Sequence, residues 1–322
     1  MSRNNESIAA VVVTFNRLNL LKECISSLLT QSRKIDEIIV VNNSSTDGTN
    51  DWLIKQKYLT VITQENSGSA GGQHTGIKTA YEKGFDWIWC MDDDLKPTRI
   101  ALEIMLEFVH NKKMDNIAAV QLLKKSFSSD EHFNDGADYL EIKTYKEKKI
   151  ASKALKEGFV ETNLFSFEGV MINSCIIKSV GLPQKDYFCF YDDKEYALRI
   201  KKIFPQKNIL LIGKVALENI KYKDNIKEKN IDEYAYSQVN NFCLFMRNLI
   251  ITYRIHFPQY IKIKGIIYMS INYKKWIVKI LFLVIMNKKR GKLFRMIVNE
   301  IYSKGFKSDL NSFNDSIYYY KN

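Results

Sequence analysis

The sequence has few of the residues from which disulfide frameworks and zinc sites are built. Its 322 residues include four histidines and an odd number of cysteines, which are widely spaced and form no CxxC pair. The cysteines are Cys24, Cys90, Cys175, Cys189 and Cys243. No histidine stands near them at ligand spacing. A disulfide framework and a structural zinc site are therefore excluded as organising features of the fold.

A secretory leader and a long apolar run are also missing. Residues 1–7 are polar, so no signal peptide is visible, and we expect a cytoplasmic protein. The longest late apolar run, residues 276–286, is interrupted by Lys279 and is much shorter than the ~20 residues that span a bilayer. Its flanking lysines and Trp276 are typical of a helix lying on an anionic membrane, such as the inner face of the cell membrane. Packing in the protein core is an equally good alternative.

Charge of one sign is concentrated at one end of the chain. Residues 1–200 contain 25 Lys and Arg against 28 Asp and Glu, a net charge of −3, whereas residues 201–322 contain 23 against 8, a net charge of +15. Basic residues are attracted to dense arrays of phosphate, on membranes as on nucleic acids. Because no nucleic-acid-binding motif accompanies this charge, we expect no nucleic-acid partner.

Strand-like runs alternate with helical patterns over the first 111 residues. Ile8–Thr14 is apolar and β-branched, and the leucines that follow it recur with helical spacing. This alternation predicts an α/β fold with an open, mostly parallel sheet covered by helices on both faces. Ligands bind such sheets beyond the carboxyl ends of the strands. The unusual polar runs follow the strands, at residues 14–17, 42–47, 66–68 and 92–94.

Three consecutive carboxylates, Asp92, Asp93 and Asp94, follow a strand that looks buried. Their mutual repulsion would be relieved by a divalent cation, because Mg²⁺ and Mn²⁺ prefer carboxylate oxygens and leave positions for substrate phosphates. The alternative is a solvated acidic turn that caps a helix starting near Pro97. The position at the ligand edge of the sheet favours the metal interpretation.

A glycine-rich run, NSGSAGG at residues 66–72, separates a strand from the next predicted helix, which we place from Gly72. Glycines at such a place let the backbone approach a diphosphate at the helix N-terminus. The run matches neither GxGxxG nor GxxxxGK[ST]. That argues against a dinucleotide oxidoreductase and a P-loop enzyme.

Four motifs in this order, VVVTFNR, IVVNNSSTDGT, NxGxxGG and MDDD, resemble family 2 inverting glycosyltransferases, which have the GT-A fold. The resemblance covers roughly residues 8–215. It implies that Asp92 and Asp94 bind Mn²⁺ or Mg²⁺ and that a further set of residues binds the nucleotide-sugar. That set comprises Thr14, Asn16, Arg17, Asn43, Asn66, Gly68, Gly71, Gly72 and Asp93.

A later block, GLP at residues 181–183 followed by FCFYDDKEYALR at residues 188–199, is similar to the acceptor side of the same family. The match implies that Asp193 is the catalytic base and that Asp192, Glu168 and Gly169 lie on the acceptor side. An inverting transfer needs such a base because the acceptor hydroxyl loses its proton as it attacks. The alternatives are that these acids only start a helix and that Glu168 is an exposed loop acid without a function.

Within the family, the motifs most resemble bacterial galactofuranosyltransferases and rhamnosyltransferases of cell-surface polysaccharide assembly. These enzymes usually carry a metal-binding histidine about 25 residues after the base, where this chain has Glu218. Three alternatives follow: Glu218 serves as a third metal ligand, the site uses two carboxylates and water, or its affinity for the metal is reduced. The resemblance implies a UDP- or dTDP-sugar donor, with UDP favoured, and a glycan or lipid-linked acceptor.

We accordingly predict a GT-A catalytic domain over residues 1–220 and a basic helical region over residues 221–322. Within the first, the lysine-rich segment 124–157 has weak periodicity, and we interpret it as a variable loop or an acceptor-side insertion. Two other functions stay open from the sequence. A sugar nucleotidyltransferase also grips nucleotide phosphates on an α/β sheet, although it would favour a basic glycine-rich loop where this chain has residues 14–17. A catalytically silent scaffold of a polysaccharide assembly complex is the second alternative, which the missing histidine supports and the intact aspartates oppose.

Overall fold

The computed structural model describes residues 6–110, 116–125, 138–141, 146–150, 158–220 and 231–258, and then positions 277, 280, 284, 290–297, 299–301 and 304. The chain forms two compact units. The first contains Met1–Asp186 and Asp193–Tyr222, and the second contains Tyr187–Asp192 and Lys223–Ser316. The division at residue 222 lies close to the boundary predicted at residue 220. That Tyr187–Asp192 belongs to the second unit was not predicted.

The first unit alternates strands and helices over its first half. In chain order these elements are β1 (Ile8–Thr14), α1 (Leu18–Leu29), β2 (Glu37–Asn42), α2 (Thr49–Leu53), β3 (Thr60–Thr63), α3 (Gly68–Glu82), β4 (Trp87–Asp92), β5 (Leu95–Pro97) and α4 (Ala101–Val109). The second half consists of β6 (Ile117–Lys124), β7 (Asp138–Glu141), β8 (Lys146–Lys149), β9 (Phe159–Thr162), β10 (Val170–Asn173), α5 (Ile177–Val180), α6 (Asp192–Ile203) and β11 (Asn208–Asn219).

The main sheet is mixed, with a parallel half that carries the predicted ligand edge. Its strand order is β3-β2-β1-β4-β10-β6-β11-β5, and β9 pairs with β11. Strands β3, β2, β1 and β4 are parallel to one another, whereas β10 runs antiparallel between β4 and β6. The carboxyl ends of β1, β2 and β4 therefore meet at one edge, as the alternation of strands and helices predicted.

Strand β1 is buried on both faces, which explains its continuous apolar sequence. Ala10 and Val12 pack in one core layer with residues of α1, whereas Ala9 and Val11 pack in the other layer with Ile77 of α3. Side chains alternate between the faces of a strand, so one apolar run supplies both layers. The fold is thus the predicted α/β sheet covered on both faces.

Helix α3 lies close to β1 because glycines face the strand. A Cβ added at Gly72 would overlap the side chain of Val13, and one added at Gly76 would overlap that of Val11. The glycine-rich run is therefore not a loop before the helix, as predicted, but its first turn: α3 begins at Gly68 rather than at Gly72. Close backbone packing, which only glycine permits here, explains the difference.

Two other predicted features also differ. Residues 95–97 form the short strand β5, paired with β11, so the aspartate run forms the turn between two strands and caps no helix near Pro97. The lysine-rich segment 124–157, expected to be a variable loop, contains the hairpin β7–β8, in which Lys148 pairs with Glu141 and Lys149 with Asp138. Opposite charges across the strands replace the apolar alternation that would have signalled a hairpin.

The second unit contains the long helix α7 (Ile231–His256) and the shorter helix α8 (Arg290–Ile297). Within the described residues no helix is both long and apolar enough to cross a bilayer. Of the run at residues 276–286, predicted to lie on a membrane or in the core, only Ile277, Ile280 and Val284 are described. Ile280 and Val284 are buried, which favours core packing for that face.

Candidate functional site

The turn between β4 and β5 holds the aspartate run at the carboxyl edge of the sheet. Asp93 is buried, and its carboxylate accepts a hydrogen bond from Thr14 Oγ1 at 2.7 Å. Arg17 Nη1 lies 3.2 Å from Asp93 Oδ1 and 3.1 Å from Asp94 Oδ2. Four residues predicted to bind the donor or the metal, from two separate motifs, are thereby brought together.

Burial dominates the electrostatics of Asp93. It raises the pKa of Asp93 to about 6, although the hydrogen bond from Thr14 and the charge of Arg17 act in the opposite direction. Asp94 is a neighbour of like charge and raises the pKa further. The Arg17 guanidinium is half-exposed and therefore offers a cationic face at this edge.

Asn16 and Asp47 join the loops that follow β1 and β2. Asn16 has a left-handed backbone, with φ 56°, and its Oδ1 accepts a hydrogen bond from the Thr46 amide at 2.7 Å. Asp47 Oδ2 accepts the amide of Leu18 at the start of α1. Burial raises the pKa of Asp47, but hydrogen bonds from Thr49 and Leu18 outweigh it and lower the pKa overall. The sequence analysis did not single out Asp47, although its Asp-Gly pair is a turn signal.

The predicted nucleotide residue Asn43 is buried, and its amide is satisfied within the protein. Asn43 Nδ2 donates to the carbonyl oxygen of Gly68 at 3.0 Å, and Gln64 Nε2 donates to Asn43 Oδ1 at 2.9 Å. Asn66 is exposed, and its Oδ1 accepts the amide of Gly68 at 3.0 Å. In this structure Asn43 and Asn66 hold the first turn of α3. Their contact with a nucleotide stays a prediction.

Each of the three glycines predicted to approach the donor has its own structural reason to be glycine. Gly68 has φ 72°, in the left-handed region that favours glycine. A Cβ at Gly71 would overlap the Ser67 side chain, and Gly72 permits the contact with Val13. Gly72 is thus explained by helix-to-strand packing, whether or not its backbone also approaches a diphosphate.

Oxygen ligands for a divalent cation are present at this edge, but no ligand cluster is assembled. Asp92 and Asp94 are half-buried carboxylates flanking Asp93, and hard cations favour such oxygens. Glu218 pairs across the strands with Lys96, and its carboxylate lies 3.9 Å from the Lys96 ammonium. Among the described residues no three His, Cys, Asp or Glu side chains are grouped to hold a metal ion. Two carboxylates would leave the other positions around a hard cation to substrate and water oxygens, and metal binding by Asp92, Asp94 and Glu218 stays a prediction.

The predicted acceptor residues Glu168 and Gly169 lie beside the end of β4. The Gly169 amide donates to the Cys90 carbonyl oxygen at 2.9 Å, and Trp89 Nε1 donates to the Gly169 carbonyl oxygen at 3.1 Å. Gly169 has φ 99°, and a Cβ there would overlap Leu217, so only glycine suits the position. Glu168 forms an ion pair with Lys124 at the end of β6. These contacts fix the loop two residues away from Asp92.

Asp193, the predicted base, lies near the beginning of α6 and is half-buried. Burial raises its pKa to about 6; the Lys194 charge and a hydrogen bond with Ser166 lower it, whereas the negative charge of Glu168 raises it. Glu168 therefore lies close enough to Asp193 for their charges to interact. It also belongs to the loop that is bonded to β4 through Gly169. Asp192, the second predicted acceptor-side acid, is buried and belongs to the second unit.

Helix α6 is bonded to the segment that precedes it through Arg199, which also forms a buried ion pair within the helix. The side chains of Glu195 and Arg199 are almost completely buried and lie 2.6 Å apart. Arg199 Nη1 also donates to the carbonyl oxygens of Val180 and Leu182. A second link runs from α3, where His74 Nδ1 lies 2.7 Å from the Pro183 carbonyl oxygen. Asp193 lies near the start of this helix, two residues before Glu195.

Sequence reasoning missed several residues that shape the site. Gln64 holds Asn43, as described above, and Gln73 Nε2 donates to the Met91 carbonyl oxygen just before the aspartate run. Lys194 forms an ion pair with Glu147 of β8, which ties the hairpin to the neighbour of Asp193. These partners lie between 18 and 47 residues apart in the chain. No local pattern in the sequence signals such contacts.

Comparison with known proteins agrees with this arrangement. Residues 9–167 match the model of glycosyl transferase family 2. A galactofuranosyltransferase of Mycolicibacterium smegmatis, GlfT1, is 31% identical over 118 residues, which are 36% of this chain and 39% of the relative. The poly-beta-1,6-N-acetyl-D-glucosamine synthase of Staphylococcus aureus is 30% identical over 114 residues, 34% of this chain and 27% of the relative. The matched segments thus span less than half the length of these relatives.

Solved structures support the fold. GalNAc-T7 with UDP, GalNAc and Mn²⁺ aligns with a TM-score of 0.59 and 12% identity, over 78% of this chain and 48% of that one. TarS of S. aureus in complex with UDP aligns with a TM-score of 0.51 and 12% identity, over 96% of this chain and 74% of that one. The expected GT-A architecture is therefore confirmed. With the motifs, the sheet and the family match in agreement, residues 9–167 form a domain of glycosyl transferase family 2.

Proposed function

We propose that this protein is an inverting glycosyltransferase that moves a hexose from a nucleotide-diphosphate sugar to a glycan or lipid-linked acceptor of a cell-surface polysaccharide. One observation carries the proposal. The half-buried carboxylate of Asp193, with its pKa raised to about 6, interacts with Glu168, whose loop is bonded to β4 just before the aspartate turn. A base and an acidic, phosphate-facing edge therefore belong to one unit of the protein.

In the proposed reaction Asp193 accepts the proton of the acceptor hydroxyl. The hydroxyl oxygen forms a bond to the anomeric carbon on the face opposite the diphosphate, the bond between that carbon and the diphosphate oxygen breaks, and the nucleoside diphosphate leaves. Attack from the opposite face inverts the anomeric configuration. A carboxylate with a pKa of about 6 is mostly ionised at neutral pH and still has appreciable affinity for the proton, as general base catalysis requires.

The donor is expected to bind along the carboxyl edge of β1, β2 and β4. The half-exposed Arg17 guanidinium supplies positive charge for the diphosphate, and the first turn of α3 offers backbone amides. Asp92 and Asp94 would hold Mn²⁺ or Mg²⁺, which when bound neutralises charge developing on the diphosphate. We assign Thr14 to positioning of Asp93, because its hydroxyl donates its one proton to that carboxylate.

The identity of the sugar is proposed from the relatives. Galactofuranose is favoured because GlfT1 of M. smegmatis and of Mycobacterium tuberculosis are both named galactofuranosyltransferases. Rhamnose is the other sugar favoured by the motifs. UDP is favoured as the nucleotide because the structures of GalNAc-T7 and TarS that share the fold contain it. The family match favours glycosyl transfer over the nucleotidyltransferase alternative.

A donor screen tests the proposal. The protein is incubated with UDP-galactofuranose, UDP-hexoses, UDP-N-acetylglucosamine or dTDP-rhamnose, a membrane extract as acceptor source, and Mn²⁺, Mg²⁺ or EDTA. Release of nucleoside diphosphate from one donor, suppressed by EDTA and accompanied by an inverted anomeric signal in NMR spectra of the product, supports it. If no donor turns over or binds in calorimetry, the silent scaffold is the better account.

A further inference from the structure

The loop that leads into α6 has an unusual backbone. Phe188, Phe190 and Tyr191 have φ values of 64°, 67° and 68°, in the left-handed region. Aromatic side chains are disfavoured there because the Cβ crowds the backbone. Three such residues within four positions persist only where surrounding contacts hold them. These positions end directly before Asp192, where α6 begins.

The loop is held by one amide side chain of helix α7. Asn248 Nδ2 lies 2.9 Å from the carbonyl oxygen of Tyr187, 2.7 Å from that of Cys189 and 2.9 Å from that of Phe190. An amide nitrogen carries two hydrogens, so three carbonyl groups share them. The Tyr187 carbonyl oxygen also accepts the Cys189 amide at 2.8 Å, and the bonds from Asn248 join this turn to the carbonyl groups of Cys189 and Phe190.

Asn248 is itself braced by Arg247. Arg247 Nε donates to Asn248 Oδ1 at 2.9 Å, which fixes the orientation of the amide, and Arg247 Nη2 donates to the Tyr187 carbonyl oxygen at 2.8 Å. Glu300 accepts from Arg247 Nη1 at 3.1 Å. Both members of the Arg247–Asn248 pair are buried, and Asn248 is completely inaccessible. A buried polar network of this kind specifies one conformation because every alternative leaves polar groups unpaired.

Aromatic contacts reinforce the same loop. The Tyr191 ring meets the Phe245 ring edge to face at 5.3 Å, and the Tyr187 hydroxyl lies 3.0 Å from Thr252 Oγ1. Phe245 and Thr252 stand on α7, as Asn248 does, one turn to either side of it. The helix thus contacts the loop along a single face.

We propose that Asn248, braced by Arg247, is a positioning residue for the base: it fixes the backbone of residues 187–190 and thereby the start of α6, whose second residue is Asp193. The inference rests on the proposed function in its catalytic part only. The hold of Asn248 on the loop is independent of the reaction. No direct contact between Asn248 and Asp193 is required, because the loop runs into Asp193 within three residues.

Cys189 provides a reporter of the loop that does not depend on catalysis. Its thiol lies in the held segment, and burial raises its pKa to about 12, with the Asp192 charge acting in the same direction. Since the thiolate is the nucleophile, Cys189 should react slowly with iodoacetamide while the loop is held. Cys175 is exposed and serves as the internal reference.

The experiment compares wild type, Asn248→Ala and, as the matched control on the same helix, the half-buried Asn241→Ala. Alkylation of Cys189 and Cys175 is followed by mass spectrometry, and kcat and the donor KM are measured by nucleoside diphosphate release. We expect Asn248→Ala to raise the Cys189 alkylation rate at least about 10-fold with Cys175 unchanged, as local opening predicts. Its kcat should fall about 100-fold with little change in donor KM, because the base is displaced.

Each half of the proposal can fail separately. An unchanged Cys189 rate in Asn248→Ala would overturn the hold on the loop, and a raised rate with normal kcat would overturn the link to Asp193. Equal effects in Asn241→Ala would point to general loosening of α7 instead. Should Asn248→Ala not fold, Arg247→Lys tests the same contacts, because it keeps the charge but loses the bond to Asn248 Oδ1. If the wild type transfers no sugar, the proposed function has failed. The alkylation rates of Cys189 then still test whether Asn248 holds the loop.

Discussion

The Thr14 hydroxyl and the buried Asp93 carboxylate are joined by a hydrogen bond of 2.7 Å, which ties the end of β1 to the turn after β4. Arg17 adds a second contact from the same loop. Thr14, in the first sequence motif, is therefore bonded directly to Asp93, in the acidic motif 79 residues later. The Arg17 and Asp93 side chains at this edge are therefore already in position before a donor binds.

Asp93 is expected to make stability depend on pH. The pKa of Asp93 is about 6 in the folded protein and near 3.8 in the unfolded chain. Between pH 3.8 and pH 6 the folded state therefore keeps a proton on Asp93 that the unfolded chain has released. The contribution of Asp93 to stability is full below about pH 4 and is lost as the pH rises through about 6. In EDTA, Asp93→Asn should therefore flatten the fall in stability between pH 4 and 7, by up to about 2–3 kcal/mol.

Urea denaturation of both proteins across this pH range measures the effect. Thr14→Val is the companion variant, because it removes a hydrogen bond that favours the ionised carboxylate; it should steepen the fall, whereas Thr14→Ser should not. Parallel pH curves for wild type and Asp93→Asn would show that Asp93 does not titrate in this window.

The activity of the wild type should have an acidic limit near pH 6. Asp193 must be ionised to accept a proton, and its pKa is raised to about 6, so kcat/KM falls as the pH drops through that value. The negative charge of Glu168 is one cause of the raised pKa. Glu168→Gln should therefore move the limit to lower pH, whatever it does to the maximal rate.

Profiles of kcat/KM between pH 4.5 and 8.5 provide the measurement. Glu161→Gln, which neutralises a carboxylate more than half exposed in β9, is the control and should leave the limit in place. A limit that does not move in Glu168→Gln would mean that another group, such as Asp93, sets it.

Gly72 is expected to be a packing residue. An added methyl group overlaps Val13, so Gly72→Ala should lower the free energy of unfolding by about 1–3 kcal/mol. Ser69→Ala, on the same helix turn, should cost much less. Val13→Ala opens space opposite Gly72, and the double variant should be more stable than the sum of the two losses predicts. Simple additivity in urea denaturation would argue that Gly72 and Val13 do not interact.

The buried pair of Glu195 and Arg199 should be costly to break. Arg199→Met leaves the Glu195 carboxylate without its main partner in a site that water does not reach, and we expect a loss of about 3–5 kcal/mol. Replacing both residues, as Glu195→Leu with Arg199→Met, should cost less than the single change. A single variant as stable as wild type in thermal unfolding would show that the pair does not anchor α6.

Local patterns were sufficient where an element is specified by its own residues. The apolar run of β1 and the helical spacing of α1 were recognised because burial on one or both faces leaves a direct trace in the sequence. The start of α3 was misplaced because the fit of Gly72 against Val13 is a tertiary contact. The hairpin β7–β8 was missed because charge pairs, such as Lys149 with Asp138, replace apolar alternation.

The same distinction applies to the candidate site. The carboxylates at residues 92–94 and Asp193 could be proposed from the sequence because acids at a strand end and in a family-like block are visible locally. Arg247 and Asn248 were given no role, since their partners are backbone carbonyls about 60 residues away that carry no sequence signal. Metal binding by Asp92, Asp94 and Glu218 stays a prediction, and the described structure places Glu218 against Lys96.

The most direct test of the central claim is to measure transfer and donor binding in Asp193→Asn, with the exposed α2 variant Asp51→Asn as control. The amide keeps the shape of the side chain but cannot accept the acceptor proton. The account predicts that Asp193→Asn loses transfer by at least about 100-fold, within the range of general base catalysis. It should still bind the donor nucleotide in calorimetry as tightly as wild type and Asp51→Asn do. Near-normal turnover by Asp193→Asn would contradict the assignment of the base and the mechanism built on it.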